Sequence, residues 1–240
     1  MPKAIFEVCA FNLQSCLIAE QAGAYRVELC DNPTEGGTTP SYGTIKRTRE
    51  KLSIKLYPIL RPRAGNYYYD DDEISIIHED IRVCRELGCD GISIGAQQRD
   101  GRIDKELMKE FVERAGPMGV TCNRAFDATP DMFQALEDLI DVGCERVLTS
   151  GQASTAPEAG KRLGELVKAA RDRIIVMPGA GIRSSNIGQL MEESGAKEYH
   201  GSVRRPAANV MTHGNPHVLD AGNVYFPDKQ ELAIILEKMK

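Results

Sequence analysis

The segment Tyr25 to Gly43 reads Y-R-V-E-L-C-D-N-P-T-E-G-G-T-T-P-S-Y-G. Its first half sets Arg26, Glu28 and Cys30 against Val27 and Leu29, the two-residue period of a strand. Its second half is a glycine-rich turn, with Pro40 placed to open a helix. Strand, loop and helix thus follow one another, and the same unit recurs along the chain. Short β-branched runs fall near residues 4–9, 25–30, 54–60, 91–95, 120–124, 146–149, 173–177 and 198–202, with helical patterns between them. Asn12 caps a helix reaching about Gln21, Asp70 to Asp72 lead one to Leu87, Thr129-Pro130 opens one ending near Val142, and a last helix runs from Asp228 to Met239. Glycines 23, 88, 143 and 195 close helices ahead of the next strand, where a left-handed C-cap is expected. Eight parallel strands, seven connecting helices and a terminal one predict an α/β fold of the (β/α)8 TIM-type barrel class. We expect it to form a single domain over residues 1–240, with a loop-rich segment at about 204–227. The G-x-G-x-x-G turn expected of an open doubly wound sheet is missing.

Composition narrows the function. A net charge of -5 and a pI near 5.5 argue against a nucleic-acid-binding face. No apolar run is long enough to span a membrane, and M-P-K-A-I-F-E-V has no signal-peptide pattern, so a cytoplasmic protein without a membrane partner is expected. The 7 cysteines cannot all pair within the chain and include no C-x-x-C, which fits reduced thiols.

In a barrel the site lies at the C-terminal ends of the strands. The inward pairs there are Glu7 with Cys9, Glu28 with Cys30, Ile59 with Arg61, Ser93 with Gly95, Thr121 with Asn123, and Glu198 with His200 and Ser202. Such interiors are normally filled with Val, Ile and Leu, so converging acids, an arginine and a histidine mark either a site or an ion-pair network of Glu7, Glu28 and Arg61 that holds the barrel together. Cys9 and Cys30 end neighbouring strands about 4.8 Å apart and can reach a common soft ion, Cu(I) with Zn competing, provided the sulfurs stand near twice a metal–sulfur bond of about 2.3 Å. The plainer reading is that both are small buried hydrophobes. Cys16, Cys84, Cys89 and Cys144 are assigned to packing, and Cys122 points toward the helices.

The run M-P-G-A-G-I at 177–182, ahead of Ser184-Ser185-Asn186 at a helix start, offers Gly179, Ala180 and Gly181 as an anion-binding loop, joined by Gly201 to Arg204. Arg61, Arg63 and Arg124 add positive charge for an anion, or pair with Glu7, Glu28 and Asp127. No lysine ends a strand, since Lys55 lies at the start of its own, which disfavours a Schiff-base aldolase. His213 and His217 are separated by Gly214, Asn215 and Pro216, which forbid the helix needed to aim both at one metal. Tyr67 to Tyr69 either lid the barrel mouth or pack as an ordinary loop.

The motifs E-V-C (7–9), R-V-E-L-C-D-N with E-G-G-T-T-P-S-Y-G, I-L-R-P-R (59–63), N-R-A-F-D (123–127), L-T-S-G-Q (148–152) and M-P-G-A-G-I resemble, in order and over nearly the whole chain, the CutC copper homeostasis protein family. The resemblance implies a cytosolic TIM-type barrel, Cu(I) held by Cys9 and Cys30, and a homodimer. One departure is that the family usually has His before R-A-F-D, where this chain has Asn123. Two functions are therefore expected. The first is a Cu(I)-binding protein with Glu7, Glu28 and Arg61 around its thiols. The second is a barrel lyase, isomerase or hydrolase acting on a small anionic substrate, phosphorylated or carboxylated. Its catalytic set would be Glu7 or Glu28 as acid or base, His200 as partner, Asn123, and Arg61 as anion clamp, with Arg124 and Gly179 to Gly181 binding the anion.

Overall fold

A computed structural model describes residues 4–208, 210–213, 217 and 223–240. The strands are β1 (Ile5–Ala10), β2 (Arg26–Leu29), β3 (Lys55–Pro58), β4 (Gly91–Ile94), β5 (Gly119–Cys122), β6 (Arg146–Thr149), β7 (Ile175–Pro178) and β8 (Glu198–Gly201). They pair in parallel as two sheets, β3-β2-β1-β8 and β4-β5-β6-β7. Single bridges, Ile59 to Ser93 and Gly179 to His200, join the sheets at both seams and make the ring of a (β/α)8 barrel.

Between the strands run α1 (Leu13–Ala22), α2 (Tyr42–Lys51), α3 (Asp71–Glu86), α4 (Lys105–Ala115), α5 (Met132–Asp141), α6 (Gly160–Ala170) and α7 (Ile187–Ser194), and α8 (Lys229–Lys238) ends the chain. Their starts follow from side-chain capping of free backbone N–H groups. Asn12 accepts from Ser15 N, and Asp70 forms a capping box with Glu73. The helices expected to open at Pro40 and Pro130 instead begin at Tyr42 and Met132, because the Ser41 and Asp131 side chains take the cap position. Gly23, Gly88, Gly143 and Gly195 all have positive φ, as their C-terminal positions require. In the expected loop-rich segment, β9 (Arg204–Pro206) and β10 (Tyr225–Pro227) pair antiparallel, and the Tyr225 carbonyl accepts from Asn12 and Ser15 at the start of α1. Gly214 to Pro216, between His213 and His217, lie outside the described residues.

Outward strand residues such as Val8, Val27, Ile92, Val147 and Val176 pack against Ile77, Phe111, Leu136 and Leu163 of the helices in one apolar core. Cys16, Cys84, Cys89, Cys122 and Cys144 are buried in it, and burial raises the Cys16 thiol to about 12.

The barrel floor is charged rather than aliphatic. Arg26, 1% exposed, donates to Glu7 and, at 2.7 Å, to Glu198. Arg146, 2% exposed, donates to the same Glu198 at 2.7 Å and to Thr121 Oγ1 at 3.2 Å. The Tyr57 ring lies 5.1 Å and 5.6 Å from these two guanidinium carbons. It fits because β4 and β5 carry glycine there: a Cβ on Gly91 or Gly119 would come within 2.1 Å or 2.4 Å of Tyr57. The ion-pair network expected of Glu7, Glu28 and Arg61 is thus built from Glu7, Arg26, Glu198 and Arg146. Neither Glu28 nor Arg61 belongs to it, because both stand higher, toward the strand ends.

Candidate functional site

The register between β1 and β2 sets Cys9 opposite Glu28, and Cys30 N bonds Ala10 O just beyond. Both thiols therefore sit at the mouth, with sulfurs 3.7 Å apart, and the Cys30 thiol lies 3.4 Å from Glu28 Oε2. One ligand atom from each of Cys9, Glu28 and Cys30 falls within 4.8 Å of the others, a grouping able to hold a metal ion. The loop after β2 presses onto this group. A Cβ on Gly37 would stand 3.4 Å from Cys30 Sγ, and with φ +93° the position calls for glycine.

His200 enters from β8, paired in register with Glu7. Its Nδ1 is 2.7 Å from Glu7 Oε1, and its Nε2 is 3.6 Å from Glu28 Oε2. Glu7 thus joins the arginine floor to the imidazole at the mouth. Burial pushes the Glu7 carboxyl upward, but the Arg26 charge and the His200 hydrogen bond outweigh it and hold Glu7 well below the usual carboxylate range. Burial likewise works against a charged His200, yet bonding to Cys9 and Glu7 and the charge of Glu28 raise it well above 6.5. The two thiols divide: hydrogen bonding from Cys30, aided by His200, lowers Cys9, while burial and the shared bond raise Cys30. Cys9 is thus the more readily ionised thiol of the pair and is partly exposed, whereas Cys30 is buried.

Arg61 binds loops. Its Nη1 donates to the Glu35 and Gly37 carbonyls at 2.8 Å and 2.9 Å, and its Nη2 to Gly65 O at 2.6 Å. It ties the loop after β2 to the loop after β3, and Tyr67 stacks on it with its ring centroid 4.9 Å away. Asn123 holds Ala125 N through Oδ1 at 3.0 Å.

Gly179, Ala180 and Gly181 stand across the mouth, with Ala180 and Gly181 at positive φ. Ala180 and Gly181, together with Cys9, Arg124, Arg183, His200 and Arg204, line a cavity of about 410 Å³. The structure therefore brings the Cys9 thiol and the imidazole to one wall of this cavity and the proposed anion loop to another. Arg124 is anchored by Asp127 Oδ2 at 2.7 Å and by Ser150 at 3.0 Å.

Asp127 itself is a feature that sequence reasoning left as a mere partner for arginine. Its carboxylate accepts from Thr149 Oγ1 (2.5 Å) and from the backbone N–H groups of Ser150 (3.0 Å) and Gln152 (3.3 Å). It clasps the loop after β5 to the loop after β6. The pairing of N-R-A-F-D with L-T-S-G-Q is the sequence trace of that clasp.

Fold and site together define a (β/α)8 barrel that carries paired thiols, a carboxylate and an imidazole at its C-terminal mouth. The chain belongs to the CutC family, whose model matches residues 4–205. It is 45% identical over 239 residues to a family protein CutC of Parabacteroides distasonis, covering 99% of this chain and 98% of the relative. A Chromobacterium violaceum family protein CutC is 47% identical over 209 residues, covering 87% and 85%. The crystal structure of CutC from Streptococcus agalactiae matches with a TM-score of 0.79 at 33% identity, over 83% of this chain and 98% of that one. Phosphoribosylanthranilate isomerase of Thermotoga maritima matches with a TM-score of 0.60 over 98% of both chains; at 11% identity this is a likeness of fold alone. Among the described residues, no helix is long and apolar enough to cross a membrane.

Proposed function

We propose that this protein is a cytoplasmic copper homeostasis protein that takes Cu(I) as its cargo on Cys9 and Cys30. The observation that carries this reading is the 3.7 Å separation of the two sulfurs beside the Glu28 carboxylate. Thiolates select soft ions, and Cu(I) is the soft ion of a reducing compartment. The Streptococcus agalactiae relative is named for copper homeostasis, which agrees. With metal–sulfur bonds of about 2.3 Å, sulfurs 3.7 Å apart subtend about 107° at a shared ion, whereas a linear pair needs about 4.6 Å. The separation expected from sequence was the linear one. The site as built suits a bent ion with a third, lighter donor, for which the Glu28 carboxylate stands ready, with His200 Nε2 3.6 Å from its Oε2. Anaerobic Cu(I) competition titration tests the assignment. The Cys9→Ser, Cys30→Ser double variant should lose Cu(I) affinity by at least about a hundredfold; binding as tight as wild type would sink the reading.

A second reading rests on the 410 Å³ cavity, whose arginines a copper carrier does not need. In it the barrel is an enzyme acting on a small anionic substrate. Glu7 is locked between Arg26 and His200, so proton transfer falls to His200 and Glu28, while Arg124 and the Gly179 to Gly181 loop hold the anion. Inorganic phosphate should then raise the melting temperature saturably, and Arg124→Ala should abolish that rise; a response unchanged in Arg124→Ala would remove the anion site from this loop.

A further inference from the structure

Three buried donors on successive strands have no hydrogen-bond partner: Arg61 Nε, Ser93 Oγ and Asn123 Nδ2. Their residues are only 5%, 2% and 2% exposed. An unpaired buried donor costs free energy comparable to a lost hydrogen bond, so three together need an explanation. They also share a place. Ile59 bridges Ser93, Ser93 pairs with Thr121, and Asn123 N bonds Ile94 O, so Arg61, Ser93 and Asn123 lie on the inward face of three adjacent strand ends. Gly95 between them leaves room for the Asn123 carboxamide, which lies across that strand: a Cβ there would be 2.4 Å from Asn123 Oδ1. With Oδ1 held by Ala125 N, the unpartnered group of the amide is its Nδ2, which can only donate.

The charge points the same way. The Arg61 guanidinium is buried against three carbonyl oxygens, and no carboxylate among the described residues forms an ion pair with it. A buried cation without a counter-ion favours an anionic guest. Tyr67 stacks on this guanidinium, its ring centroid 4.9 Å from Arg61 Cζ, and so covers the same side of the mouth.

We propose that Arg61, Ser93 and Asn123 form a receiving site for the carboxylate of a small organic acid, roofed by Tyr67 and facing the thiol and imidazole wall of β8, β1 and β2. The three unpartnered atoms carry one hydrogen on Arg61 Nε, one on Ser93 Oγ and two on Asn123 Nδ2, a donor set that suits the acceptor-only oxygens of a carboxylate. This deepens the second reading above and rests on it. It names the substrate class and assigns its carboxylate to the β3 to β5 side, apart from the loop after β7.

Sodium acetate and sodium pyruvate are the probes, titrated against wild type by thermal shift and calorimetry at ionic strength fixed with sodium chloride. Either salt should give a saturable stabilisation. Asn123→Asp, which sets a carboxylate where the amide donors stand, should weaken it at least tenfold. Should Asn123→Asp fold poorly, Ser93→Ala removes a single hydroxyl and should still weaken binding severalfold. Absence of any response above chloride, or a response equal in wild type and Ser93→Ala, overturns the site. Inorganic phosphate separates the two levels: a phosphate response with none to acetate or pyruvate overturns this inference and leaves the second reading standing, whereas silence from all three overturns both.

Discussion

Replacing Arg26 by Met tests whether the charged floor supports the mouth. The guanidinium is 1% exposed, donates to Glu7 and Glu198, and stacks over Tyr57. Met fills most of the same volume with an unbranched chain, so the cavity contribution stays small and the loss is chiefly electrostatic. Glu198 keeps Arg146, but Glu7 retains only His200. Breaking one side of a buried pair costs about 3–5 kcal/mol. In a chain of this size that is a fall in melting temperature on the order of 10 °C. Urea unfolding at a series of pH values is the assay. Glu7 is held below its ordinary 4.5 in the folded protein, so its contribution to stability is present above that value and is lost as pH falls through the lowered one. The variant has less of this contribution to lose, so the gap between wild type and Arg26→Met should narrow on acidification. A gap under about 1 kcal/mol at pH 7 would refute the reasoning.

His200 supplies the opposite sign. Its raised folded value means that the stability from its bonds to Glu7, Cys9 and Glu28 is full below 6.5 and drains away as pH climbs through the folded value. His200→Gln should flatten the alkaline limb of the stability profile; an unchanged limb would show that the imidazole carries no charge there. Alkylation by iodoacetamide near neutral pH, followed by peptide mass spectrometry, should label Cys9 well ahead of the buried Cys30, and the reverse order would contradict the division of the thiols. Asp127→Ala frees the N–H groups of Ser150 and Gln152 and the Thr149 hydroxyl, and should cost about 2–3 kcal/mol in chemical denaturation; a loss below about 0.5 kcal/mol would mean that the clasp is dispensable.

The strand period made the barrel legible, because every i, i+2 pair of polar residues at a strand end had to face one way or the other. That reasoning also brought Glu7, Cys9, Glu28, Cys30 and His200 to one mouth. It did not reveal the floor. Arg26 was visible on the Glu28 face, but its partners depend on β8 closing beside β1, and Arg146 stands first in its strand, where nothing marks it as inward. Tyr57 fills space vacated by Gly91 and Gly119, 34 and 62 positions further along, a complementarity of volume rather than of motif. The sulfur separation was misjudged for a related reason. It depends on how β1 and β2 are registered and twisted, which strand spacing alone does not specify.

The copper and enzyme readings meet on one atom. Glu7 fixes the His200 tautomer by accepting from Nδ1–H, so His200 Nε2 is the position that gains or loses a proton. As a third copper ligand Nε2 must be bare, and as a general acid, or as a counter-ion to two copper-bound thiolates, it must be protonated. Cu(I) loading therefore releases one more proton if His200 ligates than if it stays charged. Calorimetry in buffers of differing ionisation enthalpy reads that count directly, and His200→Gln supplies the reference. Equal proton release in wild type and His200→Gln would leave the imidazole outside the copper shell. It would then stand as a proton donor aimed at the cavity, with Glu28 as the remaining light ligand beside the sulfurs.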